Sequence, residues 1–215
     1  MSRITVIGGT GYAGSAIVAQ AAARGHQVTA VSRSRPANPI PGVTYVHGDA
    51  TEEATLAAPI DGADVVVGAL APRAELANSF RDVYRTIAGL ADSAGVPLFV
   101  VGGFSSLRPA PGADRFVEDL SHVPAELHAE IRAGAALIIE DLPATPASLN
   151  YVFVSPALRF GAHMPGERLG RYRLGDQVAV DPEDGGAISA EDYAMGFVDL
   201  IESGEHHRAH VNLGQ

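Results

Sequence analysis

Short runs of apolar and β-branched residues recur along the chain, separated by alanine-rich stretches compatible with helix. The apolar runs are Ile4–Ile7, Gln27–Val31, Val43–His47, Asp64–Ala69, Leu98–Val101 and Tyr151–Val154. Each has the length of a strand and ends in turn residues. Between them, Ala13–Arg24, a shorter piece at Glu52–Ala58, Leu76–Ala94 and Ala125–Glu140 supply candidate crossover helices. Strands that are apolar throughout, and do not alternate with polar residues, belong to a parallel sheet covered on both faces. The pattern therefore predicts an α/β fold, a doubly wound parallel sheet with helices on both faces.

The turn residues agree. Arg24-Gly25-His26 and Ser93-Ala94-Gly95-Val96-Pro97 read as helix ends with glycine as the left-handed cap, each feeding a strand. Ser106–Val123, with prolines at 109 and 111, reads as a loop above the strand ends, where such sheets bind ligands. From Met164 onward the alternation weakens. A helix at Ala190–Ser203 and a strand near His210–Leu213 follow, and this C-terminal part is expected to form a small substrate-side region.

Composition narrows the class. No proline-, glycine- or charge-rich stretch divides the 215 residues, so residues 1–215 read as one domain. Hydrophobic residues make up 47% and charged residues 19%, which is enough apolar material for a core. The net charge of -10, with scattered arginines, argues against nucleic acid and anionic membranes as partners. The absence of cysteine removes disulfides, thiolate metal sites and cysteine nucleophiles. No apolar run is long enough to span a bilayer or form a signal segment, so a soluble, cytoplasmic protein is expected, as monomer or homodimer.

The first strand empties into Gly8-Gly9-Thr10-Gly11-Tyr12-Ala13-Gly14, and Ser15-Ala16-Ile17-Val18 starts a helix. At this spacing Gly8 permits the tight turn, Gly11 lets backbone approach a pyrophosphate, and Gly14 lets helix pack closely on strand. A glycine loop between the first strand and first helix of an α/β pattern is the Rossmann arrangement for a dinucleotide. The second strand ends at Val31-Ser32-Arg33-Ser34-Arg35 without an acid. A carboxylate there would hold the ribose hydroxyls of NAD, whereas Arg33 suits the 2'-phosphate of NADP. NADP is therefore expected ahead of NAD. Asp49, in Gly48-Asp49-Ala50, reads equally as an adenine contact or as the N-cap of the following helix. Ala69-Leu70-Ala71 and Gly102 end their strands with small residues that leave room for a ribose.

Other clusters read as surface. His206-His207 with His210 approaches metal-ligand spacing but lies in a polar, solvated turn, so no metal site is expected. Glu52-Glu53, Asp114 with Glu118-Asp119, and Asp181 with Glu183-Asp184 read as solvated charge. No Gly-x-x-x-x-Gly-Lys element is present.

With these segments placed, the chain resembles the atypical short-chain dehydrogenase/reductases, specifically the NmrA-like, NADH-flavin reductase family that includes biliverdin reductase B-like proteins. The resemblance spans nearly the whole chain. It rests on Ile7–Gly14, Arg24–Arg33, Gly48–Ala50, Val100–Gly103, Ser155–Ala157, Arg171–Gly175 and Ile188–Ala194. It implies that Gly8, Thr10, Gly11, Tyr12 and Ala13 hold the pyrophosphate and Arg33 the 2'-phosphate. Asp49 and Ala50 would flank the adenine, Ala69, Leu70 and Ala71 the ribose, and Ser155, Pro156 and Ala157 the nicotinamide side.

One departure matters: the Tyr-x-x-x-Lys pair of such enzymes should fall in Ala125–Glu140, which has neither residue. An NADPH-preferring oxidoreductase passing hydride to a flavin, quinone or similar planar acceptor is expected, since such acceptors need little protein acid. Isomerase chemistry, which uses the missing pair, is disfavoured. The alternative is a non-catalytic NADP(H)-binding redox sensor. If an acid acts, the candidates near the fifth strand are Ser105, Ser106, His122 and His128, with Ser106 preferred.

Overall fold

In the computed structural model, which describes residues 1–215, the apolar runs become strands and the alanine-rich stretches helices. The order is β1 (Arg3–Ile7), α1 (Tyr12–Ala23), β2 (Gln27–Ser32), β3 (Thr44–His47), α2 (Glu53–Asp61), β4 (Val65–Gly68), α3 (Phe80–Ala94), β5 (Leu98–Val101), α4 (His128–Ala136), β6 (Tyr151–Pro156), β7 (Arg173–Gly175), α5 (Ala190–Ser203) and β8 (Ala209–Gly214). All eight strands share one sheet in the order β3-β2-β1-β4-β5-β6-β8-β7. Every pairing is parallel except β7 with β8. The chain winds outward from β1 to β3, then returns to β4 and winds the other way. A crevice opens where the winding reverses, between β1 and β4 at the carboxyl ends of the strands.

Successive strand residues serve opposite faces, which is why the strands had to be apolar throughout. Val65 and Val67 enter the core beneath α1 and α5 with Ile17, Tyr193 and Phe197. Val66 enters the other core, beneath α2 and α3, with Leu56, Tyr84 and Ile87. Each core holds 22 buried residues. Buried Thr5 would cost stability without a partner; its hydroxyl donates to the Pro59 carbonyl at 2.7 Å. The two glycine caps take the left-handed backbone their turns require, with φ 83° at Gly25 and 67° at Gly95.

Two expected helices are broken. The stretch Leu76–Ala94 is a tight 3₁₀ turn at Ala74–Leu76 followed by α3 from Phe80. Leu76 and Phe80 enter the same core, and the break between them lets the preceding backbone cross the crevice. The stretch Ala125–Glu140 opens with a 3₁₀ turn, continues as α4, and ends in a wide π-helical turn at Leu137–Asp141. That turn buries Leu137 and Ile138 while Asp141 accepts from Arg81 at 2.6 and 2.8 Å.

The C-terminal helix and strand fall where they are expected, as α5 and β8. β7 and β8 extend the sheet, and α5 packs against α1, so most of this region is structural. Ser189 caps α5 by accepting from the Asp192 backbone N–H, and the buried Asp192 carboxylate accepts from the N–H groups of Leu169 and Gly170. Beyond β6 the cleft lining ends at His163. No helix is long and apolar enough to cross a membrane.

Candidate functional site

The glycine loop fixes one end of the site. Gly8 leaves β1 at φ 87°, and the N–H groups of Gly8 and Gly9 both donate to the Val31 carbonyl, at 2.9 and 3.3 Å. A side chain at Gly14 would place its Cβ 2.2 Å from the Gly8 carbonyl oxygen, so only glycine lets α1 start flush against the strand. The first turn of α1 has no side-chain cap and no acidic residue. Its unpaired N–H groups therefore open on the cleft with the positive end of the helix behind them. This cradle fits a pyrophosphate.

The cleft has a volume of about 1180 Å³ and runs along the carboxyl ends of the strands, from β2 across β1, β4 and β5 to β6. Thr10, Gly11, Tyr12 and Ala13 line it from the loop, and Arg33, Asp49 and Ala50 from the β2 and β3 ends. Ala69, Leu70 and Ala71 line it from β4, Gly102 and Ser106 from β5, and Pro156 and Ala157 from β6. Ser155 is the exception. It is fully buried with its hydroxyl turned into the wall, so the nicotinamide-side role expected of Ser155 does not extend to its side chain.

That hydroxyl belongs to a polar cluster beneath the cleft. The Ser106 and Ser155 hydroxyls both donate to the Gly103 carbonyl, at 2.7 and 2.9 Å. His210 Nε2 lies 2.9 Å from Ser155 Oγ. With both serine protons committed to Gly103, Nε2 carries the imidazole proton and donates to Ser155, leaving Nδ1 as the acceptor towards Arg115 at 3.4 Å. Burial, and the nearby guanidinium groups of Arg115 and Arg108, push the His210 pKa down to about 3, so the ring is neutral. Ser106, the residue expected to serve if an acid acts, lines the cleft with its hydroxyl proton engaged by the Gly103 carbonyl. His210 is no part of a solvated turn but a side chain of β8 packed edge-on against Phe153. His128 Nε2 bonds the Val123 carbonyl at 2.8 Å, and neither it nor His122 lines the cleft.

Asp49 also resolves. Its carboxylate accepts from the backbone N–H and the hydroxyl of Thr51, each at 2.8 Å, whereas α2 starts at Glu53 with Glu52 as its N-cap residue. The N-cap reading fails. The Thr51 hydrogen bonds, and to a lesser degree Arg33, hold the Asp49 carboxyl below its usual range.

The strand end of Arg33 carries no acid of its own, but one arrives from elsewhere: Arg33 pairs with Glu75 of the 3₁₀ turn after β4. Two residues earlier, Arg73 pairs with Glu130 of α4. The segment Ala71–Leu76, all of whose residues line the cleft, is thus a strap tied to β2 on one side and α4 on the other. Ala74, at φ 50°, turns the backbone between the two ties. Local sequence carries no sign of either pair. All 15 basic residues are arginine. With no lysine in the chain, the Tyr-x-x-x-Lys pair cannot be assembled from any other segment.

Known proteins resemble this chain over most of its length. The family model described as NAD(P)H-binding matches residues 8–203. The Bacillus subtilis (strain 168) protein YwnB, whose function is uncharacterised, is 31% identical over 206 residues, covering 95% of this chain and 94% of YwnB. A Burkholderia pseudomallei structure, provisionally named as an exported protein, is 37% identical with a TM-score of 0.83 and covers 100% of both chains. A Bacteroides thetaiotaomicron structure, provisionally named as an epimerase, is 32% identical with a TM-score of 0.85, over 99% of this chain and 96% of that one. A Streptococcus pneumoniae structure, provisionally named as an NADH-flavin reductase, is 28% identical with a TM-score of 0.82 over 100% of both.

Proposed function

The chain belongs to the NAD(P)H-binding family, in its atypical short-chain dehydrogenase/reductase, NmrA-like branch, and from that premise we propose that it is an NADPH-preferring reductase of a planar acceptor such as a flavin or quinone. The observation that carries the reading is the long cleft that holds both the uncapped glycine loop and Arg33 in its lining. We take residues 1–215 as one catalytic unit, because the two windings of the sheet share one crevice.

In this reading Gly8, Thr10, Gly11, Tyr12 and Ala13 hold the pyrophosphate through loop and helix N–H groups. Arg33 takes the 2'-phosphate, exchanging the Glu75 carboxylate for it. Ala50 and Asp49 border the adenine. Ala69 to Ala71 and Gly102 leave space for the riboses, and Pro156 and Ala157 form a small-residue wall on the nicotinamide side. When bound, the reduced nicotinamide supplies a hydride. The chain's own part is to fix the distance between donor and acceptor and to exclude water. The Ser106, Ser155 and His210 cluster stiffens the turn at Gly103, and the proton that completes reduction comes from solvent. This suits a flavin or quinone, which takes hydride without a side-chain acid.

Calorimetric titration of NADP and NAD into the protein and its Arg33→Ala variant tests the cofactor reading. Loss of one charge-assisted contact costs about 1.5–3 kcal/mol, roughly ten- to hundredfold in affinity, for NADP only. An equal loss for both cofactors overturns the assignment. NADPH oxidation by flavins and quinones separates the reductase from the sensor reading, which the absence of an unengaged acid around Ser106 also suits. A sensor distinguishes oxidised from reduced cofactor in affinity without turning over.

A further inference from the structure

Resting on the reductase reading, we propose that the acceptor is an uncharged planar ring system, one that carries no phosphate or carboxylate group. The order of the strands sets Arg33 and the glycine loop at one end of the cleft and β5, β6 and α4 at the other. The far end is walled by Phe104, Leu127, Ile131, Phe153, Leu158 and Phe160. Phe160 packs edge-on against Tyr12 of the glycine loop, with ring centroids 5.1 Å apart, so the apolar wall joins the cofactor cradle directly. Leu127 and Leu158 are 41% and 48% exposed, large apolar side chains left facing solvent at positions that line the cleft. Aromatic and aliphatic surface of this kind is matched by the faces of a fused ring.

The charges at this end point the same way. The ionisable side chains lining it are Glu130 and His163, together with Arg73 reaching over from the strap. Arg73 is already paired with Glu130, and Glu130 is the better shielded of the two. The remaining lining cation, Arg33, stands at the opposite end and is held by Glu75. An acceptor with a phosphate or carboxylate tail would bring an anion towards Glu130, against apolar walls, with no unengaged guanidinium to receive it. Desolvating an unpaired anion there is unfavourable. The chain's net charge of -10 opposes its approach as well. A neutral ring meets neither obstacle.

Riboflavin and FMN separate the possibilities, because they share the same isoalloxazine ring and differ by one phosphate. Two readouts are taken: binding of each flavin to the NADP-loaded protein, from quenching of flavin fluorescence, and kcat/KM for each with saturating NADPH. We expect riboflavin to exceed FMN by about tenfold in both, the equivalent of one unfavourable charge contact. Glu130→Gln, which removes the carboxylate and releases Arg73, should shift the riboflavin-to-FMN ratio towards FMN. Turnover with FMN equal or preferred overturns the charge selection and leaves the reductase reading standing. Preferential riboflavin binding without turnover of any flavin or quinone does the reverse. Failure of both flavins to bind overturns the charge selection outright.

Discussion

Glu75 lies 42 residues from Arg33 in sequence yet occupies the guanidinium that we propose receives the 2'-phosphate. The pair is exposed, so its own contribution to stability is small, about 0.2–1 kcal/mol. In the proposed binding mode its effect is that of a competitor, because a 2'-phosphate on Arg33 displaces the carboxylate. Glu75→Gln should therefore tighten NADP about two- to fivefold and leave NAD unchanged, measured by parallel titrations. Weaker NADP binding would show that Glu75 orients Arg33 and does not compete for it. The contrast with the glycine loop explains what was legible at this scale. Gly8 and Gly14 answer to backbone geometry, which restricts the residue type locally and leaves a mark in the sequence. Glu75, Glu130 and His210 answer to side chains brought together by the fold, and neighbouring residues do not encode such meetings.

Among elements, β8 combines a legible position with an illegible role. Its apolar pattern marks a strand, but nothing in it reveals that His210 will face Ser155 across the β6–β8 pairing. The burial that keeps the ring neutral has a pH signature. His210 is pushed down from 6.5 to about 3, so the unfolded chain takes up this proton first as pH falls. The contribution of a neutral His210 is complete above about 6.5 and is lost progressively as pH drops from there towards 3. Urea midpoints measured across that window should fall, and His210→Asn, which keeps a donor without titrating, should flatten the slope. An unchanged slope would place the acid sensitivity elsewhere. The helices show the opposite failure. Leu76–Ala94 and Ala125–Glu140 have helical composition throughout, so their breaks are invisible to pattern, and Leu76, Leu137 and Ile138 beside those breaks are all buried in the core beneath α2 and α3.

For the molecule as a whole, the doubly wound sheet was readable because two-faced burial demands apolar strands, and the alternation of strand and helix admits few topologies. β7 was not, since three exposed or half-buried residues pairing antiparallel at an edge carry little pattern. Nor was the strap, although it joins the two windings of the sheet over the crevice they create.

With Arg33 as the proposed 2'-phosphate site, the strap turns cofactor binding into an exchange of counter-ions on one guanidinium, and screening acts on both sides of that exchange. At 0.1 M salt, charges separated by more than about 10 Å scarcely sense each other, but contacting pairs at the rim are only weakened. Added salt loosens Arg33 from Glu75 as well as from phosphate, so the two losses partly cancel. NADP affinity in the unaltered protein should decline gently as ionic strength rises, and more steeply in Glu75→Gln, where nothing is left to cancel. A carboxylate placed against the binding arginine would thus act as a buffer, trading peak affinity for constancy across ionic conditions.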